Sequence, residues 1–284
     1  MNFRISILLF IALMSVSTSP IVAEYLKNVP AISISFWRMF IAAMILWIYS
    51  ILKKQGKIKS NRNLRKIILA GILLGIHFAL FFQAIKMTKI ANATFLGTLA
   101  PIFTLFLEVV FLKRKFNKYI LFGLLLSFMG AIIILSHNFD LSQQYTIGNF
   151  LAVICSLCLG ISFIIAEKVR QYENTIIYTR TLYLTASITL FIIAIITNSD
   201  LIGFTNNDYM GLVFLGIVPT IIGHNVIYYS VKYVSPTIVS AFPLGEPVIA
   251  TILAFFIFGQ SIGLNIYLGG FVTFVGLFLI ILKK

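Results

Sequence analysis

The residue in this chain that most needs a chemical explanation is Glu246. It stands in Ala241-Phe-Pro-Leu-Gly-Glu-Pro247, inside a stretch that is otherwise almost wholly apolar. A carboxylate there is either a protonatable or solute-coordinating group, or a helix-stabilising group bonded to a neighbouring segment. Pro243 and Pro247 free backbone carbonyls and kink the helix, as in helices that line a cavity. A second apolar stretch carries Thr94, Thr98, Pro101 and Glu108 at spacings of four, three and seven, which sets them on one helical face. Glu108 lies about one turn from the end of that stretch, within reach of Lys113 or the membrane interface. Thr220, His224 and Tyr228 share a face in another stretch, and His77 sits in the middle of yet another. Each imidazole can take up a proton or a solute, or can simply donate to a neighbouring backbone carbonyl. Arg38 and Arg180 stand near the starts of their stretches, where a long side chain either snorkels to headgroups or attracts an anionic group at a pathway mouth. Cys155 and Cys158 have C-x-x-C spacing, but on an apolar helix with no second pair they read as small packing residues. No metal ligand set, cofactor motif or catalytic residue is expected: there is no H-E-x-x-H, no G-x-S-x-G, no phosphate-binding loop and no Asp in any apolar stretch.

These groups sit in a chain of 284 residues that is 60% apolar and 11% charged, with mean hydropathy +1.02. Soluble chains average about 45–50% apolar and about 25% charged. The excess apolar surface needs a bilayer as solvent, which disfavours a soluble enzyme, a disordered chain and a nucleic-acid-binding module. Cutting wherever charge interrupts the apolar runs predicts ten membrane-spanning helices, at roughly 5–23, 31–51, 67–85, 91–112, 119–136, 148–166, 176–197, 210–230, 236–258 and 264–282. The fold class is therefore all-α and polytopic, and the chemistry must lie inside the membrane or on short loops. The first run is too long for a signal-peptide core and lacks a good cleavage site at Val22–Ala23, so it reads as a span. Gly71 and Gly75 form a small-xxx-small packing motif.

The charge balance, 22 Lys and Arg against 8 Asp and Glu, becomes a topology record once sorted by loop. One side holds Arg4, the run from Lys53 to Lys66, Lys113 to Lys118, Lys168, Arg170, Lys232, Lys283 and Lys284: 17 basic residues against Lys27, Lys86 and Lys89 on the other. Lys and Arg collect in cytoplasmic loops, so both termini are expected in the cytoplasm, in a multi-pass protein of the cytoplasmic membrane.

The chain also repeats itself. An offset of 146 lays Lys232 on Lys86, Pro247 on Pro101, Gly269 on Gly123 and Gly276 on Gly130; offsets of 143 and 142 pair Glu24 with Glu167 and Arg38 with Arg180. Two repeats, 1–137 and 148–284, each with five spans, must be inverted relative to one another because five is odd. Inverted halves can exchange roles, which gives inward-open and outward-open states from one packing scheme.

The stretches Gly223-His-Asn-Val-Ile-Tyr-Tyr, Leu244-Gly-Glu-Pro-Val-Ile-Ala and Gly269-Gly with Gly276 resemble the second repeat of the EamA family of the drug/metabolite transporter superfamily. Phe36-Trp-Arg-Met, Ala100-Pro-Ile-Phe-Thr and Gly123 with Gly130 resemble the first. The resemblance implies a secondary transporter that moves a small metabolite, such as an amino acid or derivative, often outward, through a cavity between the halves. Proton coupling or exchange would drive it. Family members commonly end spans four and nine with a glutamate, whereas this chain has Arg114 and Gln260 there. The pathway candidates are thus Glu246, His224, His77, Arg38, Arg180, Thr98, Thr220 and Tyr228, with Pro101, Pro243 and Pro247 as kinks or gates. The expected partners are a small-molecule solute and the lipid bilayer, with a homodimer compatible. The competing readings are a membrane-embedded enzyme and a non-transporting membrane scaffold.

Overall fold

The computed structural model describes residues 3–135, 141–259 and 263–282. His137, Gln260, Lys283 and Lys284 lie outside these residues. Among the described residues there is no strand. Ten helical segments are long and apolar enough to cross a membrane: spans 1 to 10 are Phe3–Tyr25, Ala31–Leu52, Asn61–Met87, Ile90–Val110, Lys118–Leu135, Gln143–Arg170, Thr175–Ile196, Asn206–Ser230, Pro236–Ile257 and Leu264–Leu282. Spans 3 and 6 are longer than their apolar runs. Hydropathy ends at the first charges, but helix propensity does not: Ser60 caps span 3 by accepting from the Asn63 N–H (3.2 Å), so Arg62, Arg65 and Lys66 ride on its first turns.

The bundle carries large apolar side chains on its outside as well as in its core. Phe271 and Ile196 are 72% and 73% exposed while Arg38 is 1% exposed. That distribution suits lipid outside and individual polar groups buried within. Contacts between loops follow the alternation of ten crossings. On the basic face the Lys59 N–H and the Asn63 amide donate to Glu173 Oε1 (3.0 and 2.7 Å). On the opposite face Lys86 Nζ donates to the Lys27 and Val29 carbonyls (2.8 and 2.6 Å), and Trp37 Nε1 donates to Leu201 O (2.7 Å).

Span 3 packs on spans 6 and 7, span 2 on span 7, span 1 on span 8, span 4 on span 9, and span 5 along span 10. The Gly71 and Gly75 motif does serve packing, since a Cβ on either would fall within 3 Å of the span 7 backbone. The seam between spans 5 and 10 is tighter and reciprocal. A Cβ on Gly123 would stand 2.6 Å from Gly276 O, and one on Gly269 would stand 2.6 Å from Gly130 O. Between these contacts Ser127 Oγ donates to Thr273 O (3.3 Å). Overpacking costs about 1–3 kcal/mol, so Gly269→Val is expected to lower the unfolding temperature in detergent by several degrees. Gly56→Ala, where a Cβ meets nothing within 4 Å, should leave it unchanged. Equal thermal shifts for the two variants would refute a backbone-tight seam.

Candidate functional site

Four spans are interrupted part-way. Span 1 turns at Ser17–Thr18, just before Pro20, between the helices Phe3–Val16 and Ser19–Tyr25. Span 4 breaks between Ile90–Gly97 and Ala100–Val110, where Pro101 has no N–H to continue the ladder. Span 9 narrows to a 3-10 turn over Phe242–Gly245 before Glu246–Phe258, with Pro243 and Pro247 on either side of Glu246. Span 8 widens to a π-helix over Gly216–His224. Pro219 leaves Leu215 O without its usual donor, and Thr220 Oγ1 donates to that oxygen instead (2.8 Å). Irregular backbone at membrane depth is tolerated where it borders a cavity rather than lipid, and π turns gather at functional sites.

All four interruptions border one cavity of about 50 Å³. Val16 and Ser19 reach it from span 1, Gly97 and Thr98 from span 4, His224 from span 8, and Pro243 and Glu246 from span 9; Arg38 and His77 complete the polar lining. Such a volume holds only one or two waters.

Its electrostatics come from one cation, one carboxylate and two imidazoles. Arg38 does not snorkel. Its guanidinium stacks 4.2 Å from the Phe78 ring centre, donates from Nε to Thr220 Oγ1 (2.8 Å) and from Nη1 to Ser19 Oγ (3.2 Å), and leaves the buried Nη2 without a partner. Glu246 is 7% exposed and accepts no hydrogen bond from any described residue. It opens the half-helix Glu246–Phe258, where the helix dipole favours negative charge. His77 Nδ1 donates to Cys155 O (2.8 Å), because a carbonyl only accepts, which directs Nε2 away from that bond. Its ring is near-parallel to Phe81, with centres 6.1 Å apart. His224 does not find the carbonyl that would satisfy it, and its buried Nδ1 has no partner among the described residues.

The other sequence candidates divide. Thr98 lines the cavity, and its hydroxyl donates to Phe95 O (2.9 Å) at the end of the first half of span 4. Thr220 is fully buried and holds Arg38 rather than facing the cavity. Tyr228 is also fully buried, off the cavity, with its hydroxyl 3.3 Å from Ser162 Oγ and its ring 5.5 Å from those of Phe163 and Tyr178. His224 and Tyr228 lie side by side, with ring centres 6.5 Å apart, but of Thr220, His224 and Tyr228 only His224 borders the cavity. Arg180 is remote from the cavity. It donates to Ser50 Oγ and to Gly56 O (2.7 Å) and stacks 4.5 Å from Trp47, tying span 7 to the end of span 2. The break in span 4 also separates Glu108 from Thr98, and its partner is Arg114, not Lys113. Cys155 and Cys158 are buried free thiols. Ser19 and Phe78, which hold Arg38, were not singled out from the sequence; the signal available for Ser19 was its place beside Pro20.

A helical bundle with an apolar exterior and four broken spans around a small cavity that holds Arg38, Glu246 and two imidazoles has the architecture of a polytopic membrane transporter. The chain belongs to the EamA-like transporter family, whose model matches it twice, over residues 3–136 and 146–282, within the drug/metabolite transporter superfamily. It is 24% identical over 271 residues to an uncharacterized transporter of Archaeoglobus fulgidus, covering 91% of this chain and 90% of the relative. The pseudopaline exporter CntI of Pseudomonas aeruginosa is 22% identical over 221 residues, covering 78% and 75%. A solved crystal structure superposes with a TM-score of 0.83 at 15% identity over 98% of this chain and 96% of that one, which establishes a shared fold.

Proposed function

We propose that the protein is a secondary transporter that moves a small metabolite out of the cell by alternating access between two inverted repeats, 1–137 and 148–284, with both termini cytoplasmic. The basic face is then the cytoplasmic face. The observation that carries the reading is Glu246, a carboxylate buried at a helix interruption, bordering a small cavity with Arg38, and hydrogen-bonded to no described residue. A buried ionised group without partners is expensive. A proton or a cationic solute group relieves that cost, which makes occupancy and protonation alternatives at one carboxylate. At about 50 Å³ the cavity is too small for a metabolite, so a solute enters only after the repeats move apart.

Several features support the inverted repeats. In the register of 146, Gly123 corresponds to Gly269 and Gly130 to Gly276, so the crossed contacts of Gly123 with Gly276 and of Gly130 with Gly269 are the reciprocal pair that a twofold axis generates. Ser127 meets its own counterpart, Thr273. Lys113 and Gly259, also one register apart, both adopt left-handed conformations (φ 53° and 66°) where spans 4 and 9 end.

The name of the Pseudomonas aeruginosa relative adds pseudopaline to the amino acids and derivatives worth testing. The test is transport by the purified protein in liposomes, loaded with each member of that panel, with and without an imposed proton gradient. Efflux or exchange of at least one solute above protein-free liposomes, accelerated by the gradient, is the expected result. Folded protein that moves none of them under any gradient refutes the reading.

A further inference from the structure

On the basic face, well away from the cavity, lies an ion cluster around the buried Glu108 that the transport reading does not use. Span 4 ends at a left-handed Lys113 (φ 53°), which turns the chain so that the Arg114 N–H donates to Glu108 O (3.0 Å). The Arg114 guanidinium then donates to Glu108 Oε1 and grips Glu167 with both terminal nitrogens (2.8 and 2.9 Å). Glu108 is fully buried, and its other oxygen accepts from the Thr237 N–H (2.8 Å) and from the Thr237 hydroxyl. Glu108 and Arg114 belong to the first repeat; Glu167 and Thr237 belong to the second. One step further into the membrane, Thr104 Oγ1 and Ser240 Oγ meet across spans 4 and 9 (3.1 Å). The layers Thr104–Ser240, Glu108–Thr237 and Arg114–Glu167 thus separate the central cavity from a cleft of about 320 Å³ that opens on the basic face beside Arg114, Lys115 and Lys232. From Thr98 to Glu108 the barrier is about 15 Å deep.

Among the described residues the opposite face shows no such device. In the repeat register Glu108 falls on Ala254 and Arg114 on Gln260, so neither charge is present in the sequence. Glu167 falls on Glu24, which is exposed and makes no ion pair among the described residues. Charge-assisted bidentate contacts are among the stronger polar contacts available to a protein, and among the described residues they bridge the repeats at the basic end of the pathway alone.

We infer that Glu108, Arg114 and Glu167 form a one-sided latch that holds the basic face of the transporter shut, so that opening to that face requires Arg114 to part from Glu167. This rests on the alternating-access reading, and the experiment separates the two. Single cysteines at Ser240 and at its register counterpart Thr94 are introduced with Cys155 and Cys158 replaced by alanine. A membrane-impermeant maleimide is then applied to sealed vesicles of each orientation. Arg114→Gln and Glu167→Gln are each expected to raise labelling of the Ser240→Cys probe from the basic face about tenfold or more while slowing labelling of the Thr94→Cys probe from the other face. Arg114→Lys, which keeps the charge, should stay closer to the parent. Should one glutamine variant fail to fold, the other carries the test, because Glu167 is partly exposed and Arg114 more so. Unchanged labelling at both probes, or a rise at both together as in a loosened bundle, overturns the latch. If the two probes never respond reciprocally in any protein, the parent included, alternating access falls and the latch with it.

Discussion

Glu246→Gln is expected to reduce proton-driven transport in liposomes by about 100-fold and to abolish its response to an imposed pH gradient, without lowering the unfolding temperature. The sign of the second effect is diagnostic. A residue that merely stabilises a helix loses partners on substitution, and the protein melts earlier. Glu246 has no described hydrogen-bond partner to lose, and the saving from burying a neutral amide in place of a carboxylate without hydrogen bonds is expected to offset the loss of its attraction to Arg38. Lost function with unchanged or raised stability is the pattern of a group kept for its task at a cost to the fold. Transport by the glutamine variant that equals the parent and keeps its pH dependence would eliminate coupling through this side chain.

Arg38→Met has the second large effect, and its consequence depends on Glu246. Methionine fills much of the same volume against Phe78 but gives up the donors to Thr220 and Ser19 and removes the one cation lining the cavity. Transport should fall about 100-fold, and the unfolding temperature should drop, because Glu246 is left without a compensating charge in the same enclosure. Adding Glu246→Gln to Arg38→Met should then recover part of the lost stability but none of the transport. A thermal-unfolding double-mutant cycle reads the coupling directly. Strict additivity of the two stability changes would mean that the pair does not share one electrostatic site. Arg38→Lys is not expected to rescue, since an ammonium cannot stack on Phe78 while serving both hydroxyls in fixed directions.

Much of this was legible in the sequence because a bilayer imposes simple rules. The apolar runs marked ten spans, and the prolines beside Glu246 and at Pro101 marked the places where two of them break. Faces were harder to read. Arg38 and Arg180 are related by the repeat and looked alike, yet one is stacked in the cavity and the other ties span 7 to Ser50 and Gly56. Arg38 lies seven residues into span 2 and Arg180 only five into span 7, and neighbours, not position, decide the rest. Of the expected face of Thr220, His224 and Tyr228, His224 and Tyr228 do adjoin, but only His224 reaches the cavity, in a stretch that Pro219 interrupts with a π-helix. The ion cluster escaped notice because Glu108 and Arg114, six apart, match no helical pairing. They meet only through the left-handed turn at Lys113.

The glycine seam between spans 5 and 10 has a mechanical consequence. Each repeat contributes one of the two helices, and at the glycines they touch backbone to backbone. If alternating access moves the repeats as rigid bodies, that seam is a fulcrum and the remaining four helices of each repeat are the arms of a lever. Larger residues at Gly123, Gly130, Gly269 or Gly276 would displace the pivot outward and change how far the arms swing. The glycines are then required for where they place an axis, not for flexibility.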